Sequence, residues 1–335
     1  MNAYQQYQNT FCSEEIKSVV KLINQINFKD LGINEYNIDY IENMQPTLFY
    51  YFQMFDYSLQ KLINFAPIKG EYIVDFGGGH GFLSLYLKQK GFKVIYCDFN
   101  PSSVSTIQKI SQKIGFGPDY YIEGSYQELL QFIKDRNIKV DYLISTDTIE
   151  HIHDLDEMFN YFSQLNSSIK MLFTTASNPK NFIKAKRLRK LMEKDEIEEY
   201  CPKRKEYLKK IGPELTEKEL ELLATKSRGL RYVDLIDFLE YYRQNQAVMQ
   251  VDVDQYNCCE PDFGSWMERI LPLSDYHQLA KKYNFSCTIE NGFYCDVDKK
   301  GFKKKVVSLV NFSALKTNQL GLILSPFITL KFAPK

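Results

Sequence analysis

Tryptophan occurs once in these 335 residues and histidine four times, and neither sign of charge is in excess, with Lys+Arg and Asp+Glu both at 42. Without a global field of one sign, nucleic acid is disfavoured as the main substrate, although a local patch stays open. Seven cysteines lack any regular spacing, which argues against a disulfide framework or a zinc site and fits a reducing, cytoplasmic setting. No apolar run reaches membrane-spanning length, and no basic stretch leads into an apolar core near Met1, so neither a transmembrane segment nor a secretory signal is expected. Phe and Tyr, at 24 each, are abundant and read as compositional bias rather than as a stacking surface. Glycine is sparse at 16, yet three stand together.

Those three lie in Val74-Asp75-Phe76-Gly77-Gly78-Gly79-His80-Gly81-Phe82. A β-rich stretch, 72–76, runs into the glycines and a helical pattern begins at once. Glycine there permits a sharp turn and lets a ligand approach the backbone. A dinucleotide would place its pyrophosphate over this turn, where the carboxylate of Asp75 would repel it. The spacing also departs from G-x-G-x-x-G, because Phe82 stands where the third glycine belongs. A carboxylate suits a ligand carrying an ammonium group and ribose hydroxyls. Asp98, one helix and one strand downstream, closes the next strand, as a βαβ unit requires. The plain alternative is a structural turn, with Asp98 capping the helix at Pro101.

Asp75-x-Gly77-x-Gly79-x-Gly81 followed by Asp98 resembles the class I S-adenosylmethionine-dependent methyltransferases. The resemblance implies S-adenosyl-L-methionine as cofactor, with Gly77, Gly78, Gly79 and Gly81 under its methionine and ribose portions. Asp98 would hold the ribose hydroxyls, Phe99 would stack on the adenine, and Ser125 would replace the acid that commonly faces the adenine amino group. Phe99 as buried core stays an equal alternative.

The pattern alternates regularly through the next hundred residues. Strands are expected at 72–76, 93–98, 119–123, 140–146 and 169–174, with helices at 81–90, 101–114, 126–137 and 155–165. Short connections of this kind imply right-handed crossovers and a parallel sheet covered on both faces. Two further strands are expected near 285–293 and 304–311, the antiparallel final pair of the methyltransferase sheet. The fold class is therefore α/β, a Rossmann-like methyltransferase fold with a mostly parallel seven-stranded sheet. Residues 1–66 read as an N-terminal helical cap: Ser13 caps a first helix, 37–45 is irregular, and 48–62 is an aromatic helix. The core takes 67–177 and 265–315, a mainly helical insertion takes 178–264, and 316–335 forms an apolar extension that packs on the insertion or joins a second subunit.

Ligands of such sheets bind at the carboxyl ends of the strands. The fourth ends in Asp147-Thr148-Ile149-Glu150-His151-Ile152-His153, which resembles the strand end of family members acting on small molecules. The Asn/Asp-Pro-Pro-aromatic sequence of base-amine methylating enzymes is absent. Asp147 is expected beside the methionine end of the cofactor, and His151 is the candidate base, since imidazole takes a proton near neutral pH. Tyr50, Phe55 and Tyr57 are candidates for the substrate pocket, with core packing an equal alternative. In the 258–269 tract, Trp266 is expected to cap the pocket and Arg269 to clamp a carboxylate, with a buried Arg–Glu pair fixing the insertion as an equal alternative. No metal is expected. The expected function is methyl transfer to an oxygen or nitrogen of a small metabolite; the alternatives are a peptide or protein acceptor, or a non-catalytic cofactor-binding partner of another enzyme.

Overall fold

A computed structural model describes residues 14–64, 66, 69–296 and 299–335; the expected cap at Ser13 lies outside them. The chain divides into two compact units. One comprises the residues up to Thr148 with Asp156–Thr175 and Ser274–Lys335; the other comprises Ile149–Leu155 and Ala176–Leu273. Among the described residues no helix is long and apolar enough to cross a membrane.

The first unit is built on a seven-stranded sheet in the order β3-β2-β1-β4-β5-β7-β6. Its strands are β1 (Tyr72–Phe76), β2 (Lys93–Asp98), β3 (Tyr120–Glu123), β4 (Val140–Thr146), β5 (Lys170–Thr175), β6 (Phe285–Asn291) and β7 (Ile328–Pro334). The first five pair in parallel, and β7 runs antiparallel to both β5 and β6. Strand order reverses at β1, between β2 and β4, and it is at such a point that open α/β sheets leave a crevice.

Among the described residues, three α-helices precede the sheet: α1 (Glu14–Asn24), α2 (Glu35–Met44) and α3 (Leu48–Ile63). The expected irregular stretch 37–45 is corrected by α2. Asn34 caps it by accepting from the Asn37 N–H, and Ile38 and Ile41 are buried. Helix α3 is buried on nearly every side, with Phe52, Phe55, Leu59 and Leu62 inside, as expected of a helix without a polar face. Between the strands run α4 (Phe82–Gln89), α5 (Pro101–Ile114), α6 (Tyr126–Asp135) and α7 (Leu155–Phe162). Asn100 caps α5 ahead of Pro101, and Gly115 ends it at φ 83°, the Pro-first, Gly-last arrangement.

The expected strand at 304–311 is wrong. Those residues lie inside a helix, Gly301–Lys316, and the seventh strand is Ile328–Pro334, within the expected apolar extension. Val306, Val307 and Val310 suggested a strand, yet Val307, Val310 and Ala314 recur at helical spacing and face the protein. Residues 328–332 are apolar because β7 is an interior strand, flanked on both edges; a neighbouring subunit is not needed to cover them.

The second unit is helical. Helix α8 (Phe182–Asp195) passes through a π-helical turn (Glu196–Tyr200) into α9 (Cys201–Ile211), followed by α10 (Glu217–Lys226) and α11 (Tyr232–Asn245). Pro202, at the start of α9, has no N–H to give and crowds the preceding carbonyls, which accounts for the widened turn. Leu208, Leu220, Leu223, Leu235, Phe238 and Leu239 form the unit's own core. Beside it Arg204, fully buried, pairs with buried Glu196 and donates to the Ala224 carbonyl and the Ser227 hydroxyl. The remaining helices belong to the first unit: α12 (Leu273–Lys282), α13 (Gly301–Lys316) and α14 (Asn318–Leu324).

Candidate active site

The loop between β1 and α4 is tied down before any ligand is considered. Gly77 and Gly78 both donate to the Cys97 carbonyl, at 2.8 and 3.3 Å, and the Tyr96 hydroxyl donates to the Gly79 carbonyl. Asp98 accepts from the Gly79 N–H with one oxygen and the Asn100 N–H with the other, each at 2.8 Å. It thereby joins the loop to the start of α5 while each oxygen keeps lone-pair capacity. A Cβ at Gly81 would collide with the Ile107 side chain, and one at Gly78 with the Tyr96 ring, so those glycines answer to the protein's own packing. Gly79 differs. At φ 51° it has no heavy atom within 4 Å of where a Cβ would be, so its open side is available to a ligand.

Above that loop lies a cleft of ≈ 180 Å³. Gly77, Gly78 and Gly79 form its floor; Tyr40, Met44, Tyr51, Met54 and Phe55 from α2 and α3 form one wall; Thr146 and Asp147 at the end of β4 contribute to another. Asp147 holds a left-handed conformation, φ 49°, and its N–H donates to the Thr174 carbonyl. For a non-glycine residue that conformation is costly and recurs at functional sites. Burial first, and the Asp147 charge second, raise the Tyr50 and Tyr51 hydroxyls above their ordinary range, so both stay neutral donors.

His80, which sequence reading passed over, also lines the cleft. Its ring stacks on Tyr40 with centroids 4.6 Å apart, and its Nε2 lies 3.2 Å from Asn37 Oδ1. Asn37 Nδ2 donates to the Ser102 carbonyl and to Thr106, which fixes the amide orientation. His80 Nε2 therefore carries the proton and Nδ1 keeps its lone pair. Burial pushes the imidazole down to about 4, so it is neutral at physiological pH. The only sequence signal was its position between two motif glycines.

Several expected site residues stand elsewhere. Asp75 is buried behind the loop and accepts from Ser84 at 2.7 Å, so it braces the turn rather than facing the cleft. Tyr57 is a core residue donating to the Asn291 carbonyl; Tyr50 donates to the Phe293 carbonyl and is not part of the cleft lining. The Ser125 hydroxyl is taken up in the capping box of α6 with Glu128. Phe99 is exposed, which overturns the buried-core alternative for it. Asp147, Phe55, Gly77, Gly78 and Gly79 do converge on the cleft, while Gly81 turns the chain into α4.

His151, Trp266 and Arg269 belong to the second unit. There the 258–269 tract is strapped to the segment after β4. Trp266 N–H donates to the His151 carbonyl and Arg269 N–H to the Glu150 carbonyl. Trp266 stacks on His153, its indole N–H donates to the His153 carbonyl, and the Arg269 guanidinium lies 4.5 Å from the indole centroid. These contacts tie Trp266 and Arg269 to the segment after β4. His151 Nδ1 lies 2.7 Å from the Trp266 carbonyl; it must be the donor, which leaves the Nε2 lone pair.

A family of methyltransferase domains matches residues 50–235, more than half of the chain, and the chain belongs to it. The seven-stranded order with an antiparallel β7 places it among the class I S-adenosylmethionine-dependent methyltransferases, whose cofactor is S-adenosylmethionine. No curated protein sequence matches it significantly. Among solved structures, a Haemonchus contortus phosphoethanolamine N-methyltransferase 2 in complex with S-adenosyl-L-methionine is 16% identical over 84% of this chain and 53% of its own, with a TM-score of 0.39. A magnesium protoporphyrin IX methyltransferase from Synechocystis PCC 6803 with bound SAH is 14% identical over 84% of this chain and 83% of its own, with a TM-score of 0.41. The chain spans about half the length of the nematode enzyme, and neither likeness bears on the acceptor.

Proposed function

We propose that the chain transfers the methyl group of S-adenosylmethionine to an oxygen or nitrogen of a small metabolite. The observation that carries the reading is the cleft, which joins the open side of Gly79 to Asp147 and to an aromatic wall. Asp98 would hold the ribose hydroxyls with its remaining lone pairs, and Gly79 would admit the bound group without a side chain in the way. When bound, the cofactor supplies an electrophilic methyl on a sulfonium. The rings of Tyr40, Tyr51 and Phe55 exclude water and present electron-rich faces to a cation. Asp147 offers a carboxylate for an ammonium group.

His80 acts on the acceptor by accepting a hydrogen bond at Nδ1. It does not carry the proton away, because protonating a group whose pKa is about 4 at pH 7 is uphill by roughly 4 kcal/mol. His151 stays the candidate base on its chemistry, an imidazole whose Nδ1 donates and whose Nε2 can accept.

Purified protein incubated with methyl-labelled cofactor and a size-fractionated extract should label the dialysable fraction. Asp98→Ala should abolish that labelling and weaken S-adenosylhomocysteine binding in calorimetry roughly tenfold or more. Label found only in the protein fraction would replace the metabolite reading with the peptide one. Tight S-adenosylhomocysteine binding with no labelled product would favour a non-catalytic partner.

A further inference from the structure

From Lys299 to Lys335 the chain carries eight lysines and no Asp or Glu, although the chain as a whole is neutral. Five of the eight are exposed and crowd the entrance of α13: Lys299, Lys300, Lys303, Lys304 and Lys305. That is the wrong end of a helix for cations, since the macrodipole makes the N-terminus positive, and each such charge opposes it. Among the described residues no side chain caps the helix, and no acid stands in its first turn; Asp298, directly before Lys299 in the sequence, lies outside them. By contrast α1 opens with Glu14 and Glu15, and α10 opens with a complete Thr216–Glu219 capping box. Burial raises the Asp296 carboxyl, and Lys304 acts against that.

The same helix has two apolar faces. Val307, Val310 and Ala314 turn towards the protein. Phe302, Val306 and Leu309, spaced by four and three residues and so on one face, are 81%, 42% and 66% exposed. Lys305 and Lys316 lie beside that second face by the same periodicity, and Lys316 reaches over the Phe312 ring. A stripe of exposed apolar side chains edged by lysines is a local conflict unless something anionic and apolar meets it.

We infer that α13 docks on the surface of an anionic phospholipid bilayer, with Phe302, Val306 and Leu309 entering the boundary between headgroups and acyl chains and the five entrance lysines meeting the lipid charge. A bilayer satisfies both features at once. A nucleic acid would pair the lysines and leave the apolar stripe in water. A second copy packed antiparallel on the same face would cover the stripe and leave the lysines in water.

The test is flotation of the full chain with vesicles of phosphatidylcholine alone or of phosphatidylcholine with phosphatidylserine. The chain should float with the phosphatidylserine vesicles at low salt, far less with phosphatidylcholine, and progressively less as salt rises. The double variant Phe302→Ser/Leu309→Ser and the triple variant Lys303→Glu/Lys304→Glu/Lys305→Glu should each lower the bound fraction roughly tenfold or more. Both should keep the parent's melting temperature and S-adenosylhomocysteine affinity, which shows that they fold. Failure to float with phosphatidylserine overturns the inference. Binding that survives the apolar variant but is lost in the lysine variant, together with equal capture of an oligonucleotide, would replace it with a polyanion surface. A doubled mass in light scattering that the apolar variant abolishes, without vesicle binding, would replace it with self-association.

Discussion

Asp75 and Asp98 flank the glycine loop from opposite sides, and their surroundings separate their tasks. Asp98 is held by two backbone N–H groups and keeps oxygen lone pairs. Asp75 is wholly enclosed, and desolvation pushes it up to about 7 despite the Ser84 hydroxyl and with a further push from Asp98. A carboxyl whose folded pKa is raised lends the native state stability that is complete below its unfolded value, near 3.8, and is lost as pH rises through about 7. Asp75→Asn keeps the acceptor for Ser84 and removes the titration. Its melting temperature relative to the parent should therefore become more favourable between about pH 4 and about pH 7, by no more than roughly 4 kcal/mol in stability. A difference independent of pH would place the Asp75 charge outside this account. Both carboxylates were legible from spacing alone. That Asp75 turns to Ser84 while Asp98 takes the Gly79 and Asn100 N–H groups was not, because spacing fixes position along the chain and says nothing of which partners a side chain takes.

Helix α2 shows what an element adds. Its sequence reads as irregular because the asparagines Asn34 and Asn37 are a loop signal until one of them is recognised as a cap; in fact Asn34 begins the helix and Met44 ends it. Asn37 then joins three elements, with bonds to Ser102 and Thr106 on α5 and to His80 after β1. Asn37→Ala should lower unfolding stability by about 1–3 kcal/mol, the cost of leaving buried partners unpaired. It should also release the His80 tautomer. Nitrogen-detected NMR should show an Nε2–H imidazole in the parent and a mixture in the variant; an unchanged tautomer would remove Asn37 from that role. The displaced last strand has a related cause. Lys304–Asn311 and Ile328–Phe332 both carry β-branched residues among polar ones, and pairing partners decide between them. The second finds β5 and β6 on its two edges.

At the scale of the molecule, two units carry separate cores. In the second, Arg204 and Glu196 are buried together, with Arg228 also near Glu196 at 3.4 Å. Removing Arg204 leaves buried Glu196 with only the partly exposed Arg228, and breaking a buried ion pair typically costs up to about 3–5 kcal/mol. Arg204→Ala should therefore accelerate amide hydrogen exchange in α9–α11 while leaving β1–β5 near the parent rates. Equal acceleration in both units would mean that they unfold as one. The balanced total of 42 and 42 charges also misleads at this scale, because the tail from Lys299 onward holds lysines alone.

The order of residues by itself determined the alternating strands, the glycine turn and its two acids, and hence the class of cofactor, because those features are local and periodic. Tertiary structure decided that His80, Tyr40 and Tyr51 share a cleft with Asp147, that Trp266 and Arg269 brace a loop, and which C-terminal segment joins the sheet. Those outcomes depend on contacts between residues far apart in the chain, where burial and pairing, rather than local preference, set the free energy.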